Sequence, residues 1–117
     1  HSHETPWEKF ESLLYANIIW AKEFPAQAQV LLSLFHFSGS DNDMKELATK
    51  TIDNGRALTK KYLEELDEEI ILIDEKSIFI QQWIMSVIFQ MISRSDPDEI
   101  FKTFEVQCQH ILKSIIF

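Results

Sequence analysis

The most reactive side chains in this sequence are one cysteine and a few histidines. Cys108 and His110 are close enough in sequence to suggest a thiolate–imidazole pair, but they lie two residues apart in a pattern typical of a helix. At about 100° per residue their side chains point about 200° apart, which excludes a nucleophilic pair. His36 lies in a different predicted helix, and its spacing from His110 matches no metal-binding motif.

The remaining candidates for chemistry are acidic. They cluster at the end of a long amphipathic segment, where we interpret them as a solvated turn: Glu64, Glu65, Asp67, Glu68 and Glu69. The sequence contains no glycine-rich phosphate loop and no nucleophile elbow. We therefore predict no catalytic residue, no metal site and no cofactor, and we expect the chain not to be an enzyme.

Uncharged polar residues on otherwise apolar helix faces indicate a ligand cavity instead. Asn17, Thr51 and Tyr62 are placed in this way, and Gly55 lies between the last two on the same face, where a missing side chain leaves room. A second polar strip consists of Gln29, Ser33 and His36. The alternative interpretation is that these side chains form local hydrogen bonds and that Gly55 permits close contact between helices.

The stretch from 77 to 93 has no charge, glycine or proline, and its apolar residues form two rows at helical spacing. A helix that is apolar around most of its circumference must be buried around most of it, and a chain this short offers little to cover it. We predict that this helix and the last one pair with a second copy in a four-helix interface. The predicted interface residues are Ile78, Met85, Phe89, Ile92, Phe101, Phe104, Cys108 and Ile111.

Composition limits the other possibilities. The chain has 117 residues, a net charge of −8 and only two glycines, which favours one all-α domain and disfavours sandwiches and barrels. It lacks the basic face of a nucleic-acid binder, so the chain alone should not bind DNA. No segment is apolar enough to predict a membrane span, and no membrane partner is expected. The single cysteine fits a reducing compartment, and we expect a cytoplasmic protein.

The polar and apolar pattern predicts a bundle of about five helices. Thr5-Pro6-Trp7-Glu8 is a strong helix start, with a hydroxyl cap, a proline in the first turn and a glutamate three residues after the cap. Asp74 and Asp96 are predicted to cap the last two helices. The segment 70–73 could be a short strand, but a connector is favoured because no second strand is available. The predicted helices span 6–24, 26–37, 41–66, 74–93 and 97–116.

The order of these elements resembles the C-terminal ligand-binding and dimerisation domain of TetR-family transcriptional regulators. A proline-led helix, a short apolar helix, a Ser-Gly-Ser-Asp loop and a long amphipathic helix precede Ile71-Leu-Ile-Asp74, and Asp96-Pro97-Asp98-Glu99 opens the last helix. The resemblance covers residues 6–117 as a single effector-binding and dimerisation domain. We interpret residues 1–5 as a tag remnant or a disordered start.

The resemblance implies a homodimer that binds a small apolar or amphipathic effector in a cavity walled by the central helices. The ligand site predicted on this basis comprises Phe10, Leu14, Asn17, Phe35, His36, Thr51, Gly55, Tyr62 and Trp83. The basic helix-turn-helix of the family is absent from these 117 residues, so we expect the natural chain to continue upstream and to contact DNA only through that missing domain. The alternative function is a helical protein–protein interaction module without a small-molecule site.

Overall fold

The computed structural model describes residues 4–117, apart from the side chain of Ser40. Of the predicted tag remnant or disordered start, residues 1–5, the first three lie outside this part of the chain, and Thr5 is the cap of the first helix. The described residues form six α-helices and one short 3-10 turn, which confirms the all-α fold class. The helices are α1 (Pro6–Glu23), α2 (Pro25–Phe37), α3 (Asn42–Leu66), α4 (Ile73–Ser93), α5 (Pro97–His110) and α6 (Leu112–Ile116), with the 3-10 turn at Ser38–Ser40.

Local chemistry sets the starts of α1 and α3, and the start of α1 is the one predicted. The Thr5 hydroxyl accepts a hydrogen bond from the Glu8 backbone N–H at 3.1 Å, and the Glu8 carboxylate accepts one from the Thr5 N–H at 3.4 Å. This reciprocal capping box satisfies two N–H groups that the helix itself cannot pair. Asp41 caps α3 by accepting from the Met44 N–H at 3.1 Å. The long helix α3 then runs through Gly55 to its end, as the apolar pattern indicated.

The start of α4 differs from the prediction. Asp74 does not cap the helix but lies in its first turn, where it pairs with Lys60 of α3 at 2.9 Å. Leu72 occupies the cap position in the left-handed region, with φ of 56°. The segment 67–72 is a connector and not a strand, and only Ile70 of its three apolar residues packs against the core.

The predicted last helix is split in two at Ile111. The five-residue helix α6 is fixed by tertiary contacts, because Leu112 and Ile116 are buried and the Lys76 ammonium of α4 donates to the Ile116 carbonyl at 2.6 Å. Asp96 occupies the cap position of α5 as predicted, but its carboxylate makes no capping hydrogen bond and pairs instead with the Arg94 guanidinium at 2.9 Å.

An aromatic core joins α1, α4 and α5. We define it as Tyr15, Trp83, Phe101 and Phe104, with the Tyr15 and Trp83 rings 5.0 Å and 5.3 Å from that of Phe104. Cys108 is buried beside it, and burial raises the pKa of its thiol to about 12, with a smaller contribution from the Glu11 carboxylate. Burial likewise raises the pKa of Tyr15 to about 12. The rings of this core pack closely around the fully buried Phe104, and a polar cleft of about 460 Å³ lies beside Trp83 between α4 and α5.

None of the helices in residues 4–117 combines the length and the apolar character that crossing a membrane would require.

Candidate ligand cavity

A cavity of about 570 Å³ lies on the opposite side of the bundle from the aromatic core, between the first four helices. Its volume falls in the range of roughly 300–1,000 Å³ that is usual for small-molecule sites. Its lining comes from all four helices: Leu13, Leu14, Asn17 and Trp20 of α1; Leu31 and Phe35 of α2; Thr51, Ile52, Gly55, Arg56, Leu58 and Thr59 of α3; and Ile78, Gln81, Gln82, Ile84, Met85 and Ile88 of α4.

The cavity exists because α2 covers the other three helices only loosely. The floor consists of buried aliphatic side chains, including Leu14, Ile84 and Ile88. Over this floor, Leu31 and Phe35 of α2 are only half-buried, although α2 is strongly apolar. The walls are thus hydrophobic, and they enclose a space that the side chains of the protein do not fill.

Two polar side chains at the walls form hydrogen bonds within their own helices. The Asn17 side-chain amide donates to the Leu13 carbonyl at 2.9 Å, and the Thr51 hydroxyl donates to the Leu47 carbonyl at 2.8 Å. Both residues were predicted as ligand contacts, and both lie at the cavity. Their local bonds match the alternative interpretation. The Thr51 hydroxyl keeps only acceptor capacity for a ligand, whereas the Asn17 amide keeps its oxygen and one N–H group.

Gly55 permits a close approach of α3 and α4. A Cβ atom added at Gly55 would lie 2.8 Å from the side-chain nitrogen of Gln81, a distance that real Cβ contacts do not show. That nitrogen donates to the Ile52 carbonyl of α3 at 2.8 Å. The missing side chain therefore admits the Gln81 amide from α4, which pairs directly with the backbone of α3.

Arg56 is the only charged residue in the described part of the cavity lining. Its Nε atom is buried and has no hydrogen-bond partner among the described residues. In the helical pattern of α3, Arg56 falls with the charged residues on the polar side, but in the structure its side chain lines the cavity. Nothing in the sequence separates Arg56 from the exposed lysines of α3 except its position next to Gly55.

The nine predicted ligand residues divide into two groups. Five line the cavity: Leu14, Asn17, Phe35, Thr51 and Gly55. The other four lie elsewhere. Phe10 is fully buried in the core, Tyr62 packs half-buried against it, and the exposed His36 ring contacts Phe37 at 4.8 Å. Trp83 lies between α4 and α5, where its indole N–H donates to the Gln107 side chain at 3.1 Å. Helical spacing identified the face on which each of these four lies but could not show which neighbour that face meets.

The residues predicted for a dimer interface are dispersed over the single chain. Phe104 and Cys108 are 1% and 2% exposed, so they lie in the core of one copy and have no free surface to offer a second. Ile78 and Met85 line the cavity, while Ile92 and Phe101 pack half-buried against the core. Phe89 and Ile111 remain exposed, at 57% and 48%.

No protein-family model, curated protein or solved structure matches this chain.

Proposed function

We propose that this chain binds a small apolar or amphipathic molecule in the cavity between α1, α2, α3 and α4. The observation that carries the proposal is the cavity itself, a hydrophobic space of about 570 Å³ with a few polar groups at its walls. Ligand sites typically combine apolar walls that supply affinity with a small number of polar groups that set orientation. Five of the residues singled out in the sequence line this space.

We further propose that this binding regulates transcription, with the chain as the effector-binding and dimerisation domain of a TetR-like regulator. Support comes from the order of the elements and from a cavity walled by the central helices. A ligand that contacts four helices at once can favour one arrangement of those helices over another, by as much as its affinities for the two differ. In a regulator, that shift would alter the spacing of two DNA-reading domains upstream.

The binding proposal is tested with Trp20, the one tryptophan of the three that lies at the cavity wall. In a Trp7→Phe/Trp83→Phe variant, emission comes from Trp20 alone, and decan-1-ol serves as a neutral apolar probe. We expect a saturable change in emission because the probe displaces water beside the indole. Absence of binding by both fluorescence and calorimetry would contradict the proposal.

A matched pair of variants tests whether the probe binds in the cavity. Thr51→Phe fills part of the cavity and should weaken binding at least about 10-fold, through lost contact area and steric conflict. Thr49→Phe is the control, because Thr49 is exposed on the same helix and its hydroxyl makes the same kind of bond, to the Lys45 carbonyl at 2.8 Å. An equal effect of both substitutions would show that the probe binds elsewhere.

The second candidate function is a helical interaction module, and a separate apolar surface favours it. Phe79, Ile111 and Ile115 are exposed and line a shallow cleft of about 140 Å³ between α4 and the α5–α6 corner. The dimer of the leading proposal would use Ile111 of this surface together with the exposed Phe89, which lies outside the cleft. Sedimentation velocity should show a dimer that Ile111→Glu dissociates, whereas Ile71→Glu, in the exposed connector, should leave it intact. If Trp20 emission does not change on addition of the probe and a stable assembly forms through this cleft, the interaction module is favoured.

A further inference from the structure

We propose that the ligand of this cavity carries a carboxylate at one end and that Arg56 is the residue that binds it. The inference rests on the proposed ligand-binding function and goes further by stating the chemical class of the ligand. It depends on the state of the Arg56 guanidinium, on the charges around the cavity and on the shape of the apolar space.

The Arg56 guanidinium has unused hydrogen-bonding capacity at the cavity wall. Its Nε atom is buried without a partner, and the Arg56 side chain makes no hydrogen bond or ion pair with the described residues. By contrast, Lys22, Lys60 and Arg94 each pair with a carboxylate. A buried donor without an acceptor costs free energy, and a ligand that supplies the acceptor recovers it on binding.

The charges around the cavity favour an anion at this point. The chain has 19 acidic residues against 11 basic ones, yet none of the acidic residues lines the cavity in the described part of the chain. Arg56 therefore has no carboxylate of the protein beside it in the cavity. The planar guanidinium presents a fork of N–H groups that matches a carboxylate in a bidentate arrangement.

None of the other polar groups at the wall carries a positive charge, and most of them already bond within the protein. The Thr51 and Thr59 hydroxyls donate to carbonyls of their own helix at 2.8 and 2.9 Å, and the Asn17 amide uses one of its two N–H groups in the same way at 2.9 Å. The Gln81 amide is likewise engaged with the Ile52 carbonyl. Since the remaining lining is dominated by aliphatic and aromatic side chains, the fitting ligand is amphipathic, with its carboxylate at Arg56 and its apolar part over the aliphatic floor.

Three probes with the same ten-carbon chain test the charge. Decanoate, decan-1-ol and decylammonium are titrated into the Trp7→Phe/Trp83→Phe variant with Trp20 emission as the readout, and calorimetry confirms the stoichiometry. We expect decanoate to bind about 10- to 100-fold more tightly than decan-1-ol, because a charge-assisted pair replaces an unpaired donor. Decylammonium should bind most weakly, because it places a second cation beside the guanidinium.

Substitution of Arg56 tests the assignment. Arg56→Met should reduce decanoate affinity to that of decan-1-ol and leave decan-1-ol affinity unchanged within about 3-fold. Lys50→Met removes the same charge from an exposed position of α3 and should preserve the preference for decanoate. The melting temperature of Arg56→Met should equal or exceed that of the wild type, because the substitution removes an unsatisfied donor. A merely structural arginine would instead lower the melting temperature and affect all probes alike.

The outcomes separate the two levels of the proposal. Equal binding of decanoate and decan-1-ol to the wild type overturns the carboxylate assignment while the ligand-binding function stands. A preference for decanoate that survives in Arg56→Met overturns the role of Arg56. If none of the three probes binds, the proposed ligand-binding function fails, and the carboxylate assignment fails with it.

Discussion

The two sides of α4 show how differently one helix can be covered. Toward α5, it meets the aromatic core, where rings pack at centroid distances of 5.0 to 5.3 Å around the fully buried Phe104. Toward α2 and α3, it meets the cavity of about 570 Å³. Both sides are apolar in sequence. The difference lies in the opposing helices. Large rings fill the space around Phe104 and leave toward α5 only a cleft with a mostly polar lining, whereas the half-buried side chains of α2 leave an apolar space unfilled.

The contrast shows that apolar content is not the same as burial. Helix α2 has mostly apolar side chains, yet Ala28 is its one fully buried residue, whereas the more polar α5 buries Phe104 and Cys108. An amphipathic stripe that faces a matching stripe is buried completely. A helix that is apolar on most of its surface can still be half exposed when its neighbours do not enclose it. The unfilled side is the one available to a ligand.

The largest expected change in stability comes from truncating a ring of the aromatic core. Phe104→Ala should lower the free energy of unfolding by about 3–5 kcal/mol, because it removes a ring from a close-packed site that cannot collapse around the void. Ile78→Ala, at the half-buried cavity wall, should cost less than about 2 kcal/mol, since space already lies next to it. Urea unfolding of both variants measures the difference. Similar losses would show that the two sides are packed alike.

A smaller, pH-dependent effect tests how well the aromatic core excludes water. Because burial raises the pKa of Cys108 from 9.0 to about 12, the unfolded thiol ionises between pH 9 and 12 while the folded thiol stays neutral. The contribution of Cys108 to the free energy of unfolding is therefore complete below pH 9. As the pH rises toward 12 this contribution is lost, at up to about 1.4 kcal/mol per pH unit.

The comparison for that test is Cys108→Ala. This variant should show a shallower decline of the free energy of unfolding over the same pH range, and Tyr15, whose pKa is also raised, should account for part of the remaining slope. Unfolding in urea at pH 8, 9, 10 and 11 gives the slopes. Identical slopes in the wild type and Cys108→Ala would mean that the thiol is open to solvent in the folded protein.

The smallest expected change in stability comes from a substitution at the α3–α4 contact beside the cavity. Gly55→Ala gains about 1 kcal/mol of helix propensity but displaces the Gln81 amide from its 2.8 Å bond to Ile52, a loss of about 0.5–1.5 kcal/mol. The net change should stay within about 1 kcal/mol of zero. In a Gln81→Ala background the same substitution should stabilise by close to the full propensity gain. A double-mutant cycle that shows no coupling would contradict this arrangement.

The sequence predicts the parts of the fold that depend on neighbouring residues. The capping box at Thr5 forms as predicted, because it involves groups only three residues apart, and the Asp41 cap of α3 is equally local. The break at Ile111 has no local cause such as glycine or proline. It follows from the packing of α6 and from the Lys76 bond to Ile116, 40 residues away in sequence, which no local pattern reveals.

The candidate site is only partly predictable for a related reason. Periodicity identifies which residues share a face, but it does not identify the neighbour that the face meets. The apolar stripe of α3 therefore seemed to centre on a face that includes Leu47 and Leu58, both exposed in the structure, whereas Arg56 lies against the cavity. Likewise, the apolar excess on Ile78 and Met85 of α4 suggested a second copy. In the structure these two residues face the cavity, and the dimer remains a prediction that concerns the exposed Phe89 and Ile111.

The small number of buried residues in α2 has a kinetic consequence. With Ala28 as its one fully buried residue, α2 should separate from the bundle at a lower free energy than α4, which has six. Such partial opening should expose the cavity to solvent without unfolding the rest of the chain, on the time scale of about microseconds to milliseconds that is typical of element-sized motions. A ligand could then enter and leave when α2 separates from the bundle. Its residence time would depend on how often α2 separates as well as on its contacts with the cavity lining.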